Sequence, residues 1–404
     1  MAKNVIVGQS GGPTSVINAS LVGVFQAAQS RGAAHVYGML NGVQGLLDDR
    51  YVDLTKTIAS TLDIELLKRT PSSYLGSCRY KLPDFEEDEA PYKKCFQLFD
   101  DLEIGYVFYI GGNDSMDTIN KLSTYAQKIS SDLKFFGVPK TIDNDLAETD
   151  HTPGFGSAAK YLAATTKEII RDGLVFNQKI VTVVEVMGRN AGWLTGSTAL
   201  SKGEDCEGVD MICMPETVFD VDKFLSHVEE LQKKKPSVVI AVSEGVKTAD
   251  GKYVCELSDA AAFVDAFGHR SLSGTSRFLA NQAATKLGCK TRSVELSTLQ
   301  RCAGHITSRV DITEAFQVGG AAVKGAFDGH NSQMVALKRI SDDPYQITTQ
   351  LVPVNLVANK EKKVPTSWIT ETGVTEEFLN YVRPLIQAEL TPFFVEGLPR
   401  HVHL

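Results

Sequence analysis

The chain has little that would mark it as a secreted, membrane or nucleic-acid-binding protein. Its seven cysteines are odd in number and form no CxxC pair, which makes disulfide frameworks and zinc ribbons poor readings. Reduced thiols in a cytosol fit best. No apolar run approaches the ~20 residues of a membrane span. Met1-Ala2-Lys3-Asn4 leads straight into an apolar strand, so no signal peptide is expected. Basic residues are outnumbered, 41 Lys and Arg against 49 Asp and Glu, and the net charge of -8 gives no support to a nucleic-acid partner. GxGxxG is missing, and so is GxxxxGK[ST], which disfavours a dinucleotide fold and a Walker-type NTPase. With 43% hydrophobic and 22% charged residues, the 404-residue chain has an ordinary globular composition and room for two or three domains.

Short apolar runs alternate with helical patterns. Asn4–Gly8 reads as a buried strand, followed by the turn Ser10-Gly11-Gly12-Pro13 and a helix over 15–30. Tyr106–Ile110 runs into Gly111-Gly112-Asn113-Asp114-Ser115, and Phe135–Val138 into Pro139-Lys140-Thr141-Ile142-Asp143-Asn144-Asp145. Ile180–Val186 ends at Met187-Gly188-Arg189, and Ser237–Val242 at Ser243-Glu244-Gly245. This alternation predicts βαβ units and a mainly parallel sheet. Ligands bind beyond the carboxyl ends of such strands, where each of these motifs falls. A further helix is expected over 376–388, and the ending Arg400-His401-Val402-His403-Leu404 is expected to be exposed.

The motifs differ in what they imply. Gly11-Gly12 at a strand–helix junction lets backbone amides approach a phosphate, although a tight turn with nothing bound accounts for it equally well. Gly111 to Ser115 repeats the junction, which suggests one extended polyanion held from two sides. Asp114 beside phosphate needs a cation between them, and Asp and Ser also suit a helix start for their own reasons. The run from Lys140 to Asp145 sets an ammonium, a hydroxyl and two carboxylates within six residues. Lys140 can neutralise phosphate, one carboxylate can act as general base, and the other can hold Mg²⁺, which takes one or two carboxylates plus substrate phosphates. An Asx-rich surface turn is the bland alternative. Arg189 can bridge a transferring phosphoryl group. Glu244 can accept hydrogen bonds from sugar hydroxyls, and Arg292 and Arg301 can grip a phosphate bidentately. Each of these last residues has a structural explanation of equal weight.

In order and spacing, GG, GGxDS, PKTIDND, MGR, SEG and the LQR of Leu299-Gln300-Arg301 resemble the phosphofructokinases, over Gly11 to about Gly329. The resemblance implies an α/β fold of two three-layer, Rossmann-like domains with mainly parallel sheets and the active site in the cleft between them. It places a phosphoryl-donor domain at 1–154 and 300–350, and a sugar-phosphate domain with a C-terminal extension at 155–299 and 351–404. It implies Asp143 as the base acting on the sugar 1-hydroxyl, with Asp145 assisting metal or sugar. Thr141 and Arg189 would contact the transferred group. Met187, with its neighbour Gly188, and Glu244 would contact fructose 6-phosphate. Arg301 would hold the 6-phosphate, and Arg292 would be lent across a subunit interface, which requires a homodimer or homotetramer. Gly11, Gly12, Arg79, Asp114, Ser115 and Lys140 would face the donor.

The pairing of Asp114 with Lys140 resembles pyrophosphate-dependent members, because ATP-using members typically carry glycine at both places. A carboxylate at Asp114 blocks and repels the α-phosphate region of ATP, while the Lys140 ammonium fills that space and holds the terminal group of pyrophosphate. Asn113 stands where most of the family has a metal-associated aspartate, leaving Asn113 and Asp145 as the expected Mg²⁺ ligands. Thr298 replaces a histidine found in many members, and the arginine usual before MGR has no clear counterpart. The segment beyond about Asn331 is expected to cover either the cleft or an effector site. A reversible, Mg²⁺-dependent, cytoplasmic enzyme is implied. An ATP-dependent kinase and a non-catalytic sugar-phosphate sensor are the rivals.

Overall fold

The computed structural model describes residues 3–175, 177–257 and 272–404. Among the described residues two large sheets, beside a small two-stranded one near the C-terminus, organise the chain. The first has seven strands: β1 (Asn4–Gln9), β2 (Val36–Met39), β3 (Tyr51–Asp53), β4 (Ile104–Gly111), β5 (Lys134–Pro139), β10 (Gln333–Asp342) and β11 (Tyr345–Pro353), in the order β11-β10-β5-β4-β1-β2-β3. The second has four: β6 (Ile180–Val186), β7 (Met211–Cys213), β8 (Ser237–Ser243) and β9 (Lys290–Glu295), in the order β7-β8-β6-β9. Antiparallel pairing in these sheets is confined to β2–β3 and β10–β11 at the two edges of the first. The parallel α/β expectation therefore holds.

Both faces of each sheet are covered, and this explains the near-continuous apolar strands. Side chains alternate between faces with period two. Ile6, Val107, Tyr109 and Phe135 enter one core with the helices Ala90–Asp101 and Asn113–Lys128. Their neighbours Val5, Val7, Phe108, Ile110, Phe136 and Val138 enter another, beneath the helices Ile17–Ser30 and Arg309–Phe327. The second sheet splits in the same way: Val184, Val186, Val239 and Ala241 face one side, and Val181, Val183, Val238 and Ile240 the other. Each fully buried aromatic or branched side chain contributes about 1.5–3 kcal/mol. That is enough to fix strand register, since a one-residue slip would exchange the two faces.

Parallel register brings chemistry to a common edge. Gln9 lies opposite Ile110, and Gly111 opposite Pro139, so the turns after β1, β4 and β5 leave the first sheet side by side. Val186 pairs with Ser243, and Glu185 with Glu295, so the turns after β6, β8 and β9 leave the second sheet together. The chain beyond β11 crosses from the first sheet to the second. It includes the helix Glu376–Val382, whose Phe378 and Val382 are buried in the second sheet's core. That helix is shorter than the sequence suggests. Pro384 has no N–H to continue it, and the chain tightens into a 3₁₀ turn over Arg383–Ile386.

Candidate active site

The two sets of turns face one cavity of about 580 Å³. Its wall includes Gly11, Gly12, Arg79, Asn113, Asp114, Ser115, Lys140, Thr141, Asp143, Asp145, Met187, Arg189 and Glu244. Thirteen residues singled out in the sequence thus surround one space, although they span both sheets.

The Gly-rich turn after β1 needs its glycine. Gly11 has φ +75°, a left-handed conformation that costs other residues energy. The turn is held by Gly11 N–H donating to the Cys78 carbonyl at 3.1 Å, next to Arg79. Ser115 hydrogen-bonds Ser10, so the two Gly-rich turns are joined through their hydroxyls. Asn113, Asp114 and Ser115 form the first turn of the helix Asn113–Lys128, whose dipole favours an anion there.

Lys140 is buried, 3% exposed, and its Nζ donates to the Gly12 carbonyl at 2.5 Å. Burial lowers its pKa to about 8, with Arg301 and Arg79 acting in the same direction and Asp143 and Asp145 against it. Asp143 sits in a loop ordered by its own N–H donating to Thr141 Oγ1 at 3.1 Å. Burial raises the Asp143 carboxyl above the ordinary carboxylate range, and Lys140, Arg189 and Arg301 partly offset this. A raised pKa makes it a stronger proton acceptor. Asp145 is pushed up to about 7 by burial and by Asp143, and Glu244 to about 8 for the same two reasons. Burial and mutual repulsion thus raise the pKa of three carboxyls that face one cavity, and a cation bound between them would relieve that repulsion.

Mg²⁺ fits that role. Asn113 Nδ2 donates to the Lys360 carbonyl at 2.6 Å, which leaves Asn113 Oδ1 as a buried acceptor with no partner. Asp145 offers a carboxylate on the same cavity. Among the described residues no group of three or more His, Cys, Asp or Glu is arranged to hold a metal.

On the second sheet, the MGR and SEG turns interlock. Ser243 Oγ donates to the Gly188 carbonyl at 2.7 Å, and Gly188 N–H faces Glu244 Oε1 at 3.4 Å. A Cβ on Gly245 would lie 1.9 Å from the Arg189 carbonyl, so only glycine allows the turns to meet. Gln300, which sequence reasoning passed over, accepts the Met187 N–H at 3.1 Å and fixes that strand end. Its neighbour Arg301 lies outside the cavity wall but next to it, its Nη1 3.0 Å from where a Gly12 Cβ would be. Arg292 is on β9, away from the cavity, paired with Asp172.

The structure also adds residues from the C-terminal extension. Asn359 and Glu361 line the cavity. Asn359 Nδ2 donates to Asp117 Oδ1 at 3.0 Å, and Glu361 Oε1 accepts from Asn190 Nδ2 at 2.7 Å. Of the two places open to the extension, part of it occupies the cleft. The only sequence signal was its length, which does not identify the residues that arrive.

The family's profile, Phosphofructokinase, matches residues 4–326. The chain belongs to the phosphofructokinase family. Among its relatives, pyrophosphate–fructose 6-phosphate 1-phosphotransferases are 41% identical in Halomonas elongata, over 98% of this chain and 95% of that protein, and 40% identical in Methylococcus capsulatus, over 100% and 96%. The crystal structure of a pyrophosphate-dependent phosphofructokinase from Nitrosospira multiformis superposes with a TM-score of 0.89 at 38% identity, covering 100% of this chain and 96% of that one.

For a phosphofructokinase site of this charge, the pH dependence can be stated. The profile of kcat/KM reports the free enzyme. Activity should fall at acid pH as Asp143 takes up a proton above the usual carboxylate range. It should also fall as pH rises through about 8, where Lys140 loses its charge. A Lys140→Arg enzyme stays charged, so its alkaline limb should move upward. An unmoved limb would assign it to another group.

Proposed function

We propose that this chain is a pyrophosphate-dependent 6-phosphofructokinase, transferring phosphate reversibly from pyrophosphate to the 1-hydroxyl of fructose 6-phosphate. The observation that carries the reading is the Lys140 ammonium seated against the Gly11-Gly12 turn, opposite Asp114 on the same cavity. A buried cation there takes the space that a longer donor's inner phosphate needs. Relatives about 40% identical over nearly the whole chain carry the same activity in their names.

In the mechanism Asp143 accepts the proton of the 1-hydroxyl while that oxygen attacks the near phosphorus of pyrophosphate in line. The P–O bond to the far phosphate breaks, and inorganic phosphate leaves. Lys140, Arg189 and the amides after β1 and β4 face the oxygens on which charge is spread. Thr141 contacts the transferred group. Met187, Glu244 and Arg301 orient the sugar phosphate, and Arg292 reaches a neighbouring subunit's site in a homo-oligomer. Bound Mg²⁺, held by Asp145 and Asn113, would neutralise pyrophosphate charge. The residues divide as 1–154 with 300–350 toward the donor and 155–299 with 351–404 toward the sugar. The seven cysteines, odd in number and without a CxxC pair, support a cytoplasmic location.

The test compares donors. Purified protein with Mg²⁺ and fructose 6-phosphate should form fructose 1,6-bisphosphate with pyrophosphate and not with ATP. Turnover with ATP alone would overturn the role given to Asp114 and Lys140.

A further inference from the structure

Four consecutive residues of the C-terminal extension meet three parts of the site. Asn359 and the Lys360 carbonyl bind Asp117 and Asn113 of the helix that starts at the donor side. Glu361 pairs with Leu146 as an isolated bridge and accepts from Asn190, next to Arg189. Lys362 is held through its backbone and its side chain alike. Its N–H donates to the Asp145 carbonyl at 2.7 Å, and its own carbonyl accepts from Trp193 Nε1 at 3.0 Å. Its ammonium donates to the Asp150 carbonyl at 2.6 Å and the Thr149 carbonyl at 3.1 Å, and lies 3.5 Å from Asn144 Oδ1. It also stands over the Trp193 ring at 5.3 Å.

Asn144 is the centre of the loop so held. It is fully buried with φ 55°, between the two aspartates. Its Nδ2 donates to Tyr381 Oη at 2.8 Å, and its Oδ1 accepts the Thr152 N–H at 3.0 Å. Tyr381 Oη in turn donates to the Asp150 carbonyl at 2.6 Å. The loop from Asp143 to Asp150 therefore has its left-handed turn and its returning carbonyls fixed by groups from the extension. The Lys362 cation stands among three oxygens that all carry partial negative charge, and without it they would face one another.

We infer that Lys362 is a positioning residue for phosphoryl transfer, holding the loop 143–150 so that Asp143 stands at the attacking hydroxyl. The inference rests on the reading of Asp143 as the base. Lys362 touches no reacting atom. A misplacement of about 1 Å in such a loop costs on the order of 10²-fold in rate, and that loss falls on kcat, while KM for fructose 6-phosphate is spared because Met187, Glu244 and Arg301 come from other turns.

The test uses Lys362→Met and Lys362→Arg in the full chain, with wild type assayed first for pyrophosphate-dependent turnover. Lys362→Met should lose kcat on the order of 10²-fold while KM for fructose 6-phosphate stays within about threefold, and Lys362→Arg should recover part of the loss. Amide exchange of the peptide covering 141–152 should speed up in Lys362→Met with the sheets unchanged, a readout that needs no turnover. Unchanged kcat and exchange would overturn the inference, and so would a uniform rise in exchange over the whole protein, which marks a merely structural role. If Lys362→Met does not fold, native-state exchange of wild type decides. The amides of Lys362 and Thr152 should then open together, and a Lys362 amide that exchanges well before Thr152 would defeat the clamp. A wild type inactive with pyrophosphate would undo the functional reading while leaving the exchange result to stand on its own.

Discussion

Asp143→Asn should lower kcat by about 10³-fold, within the range for losing a general base, and leave KM for fructose 6-phosphate and pyrophosphate close to wild type. The substitution keeps shape and removes basicity. The loop geometry should survive, since the Asp143 contact to Thr141 Oγ1 is made by the backbone N–H and not the carboxylate. Stability gives a second check. The folded protein raises the carboxyl's pKa, so the fold disfavours its charged form. At pH values above that raised pKa the ionised group opposes folding, and at acid pH the effect vanishes. The substituted amide carries no charge, so the midpoint of thermal unfolding at neutral pH should hold or rise as activity collapses. Steady-state kinetics and thermal melts on one preparation would measure both. Turnover within about tenfold of wild type would remove Asp143 from the mechanism.

The double change Asp114→Gly with Lys140→Gly should reduce kcat/KM for pyrophosphate by about 10³-fold, the scale for losing a preorganised charge at a transferring phosphoryl group. The ratio of ATP to pyrophosphate turnover should rise. Lys140 Nζ lies 3.3 Å from the position of a Gly11 Cβ, so its removal opens space directly against the first Gly-rich turn. Asp114, on the first turn of the helix beyond, places a carboxylate at the cavity wall. Lys140→Gly alone should lose pyrophosphate turnover without gaining ATP turnover, because the Asp114 carboxylate still repels. Initial rates with both donors on the single and double variants test this. A donor ratio that stays fixed in the double variant would show that these residues do not select the donor.

Much of this site was legible because its signals are local. An apolar run, a glycine turn and a helix start lie within about a dozen residues, and parallel pairing then places every such turn at one edge of a sheet. Lys140, Asp143 and Asp145 follow β5, Arg189 follows β6 and Glu244 follows β8, each where its own strand ends. Asn144 lay in plain view in the same run but without a role. Its value lies in φ 55° and in partners from Thr152, Tyr381 and Lys362, none of which a neighbouring residue announces.

The sequence by itself determined the α/β alternation, the family resemblance and the chemistry carried on each strand end, because these depend on side-chain period and on turn residues close to one another. Only the tertiary structure decided how the two sheets face each other, that Gln300 fixes Met187, that Arg301 stands beside Gly12, and that Asn359 and Glu361 line the cavity. Asn113 and Lys360 are 247 residues apart. Closing so long a loop costs little more than closing a shorter one, so spacing along the chain carries almost no information about which residues meet. Phe378 and Val382 of the extension are buried in the second sheet's core, and Lys362, earlier in the same extension, is bonded to the loop 143–150.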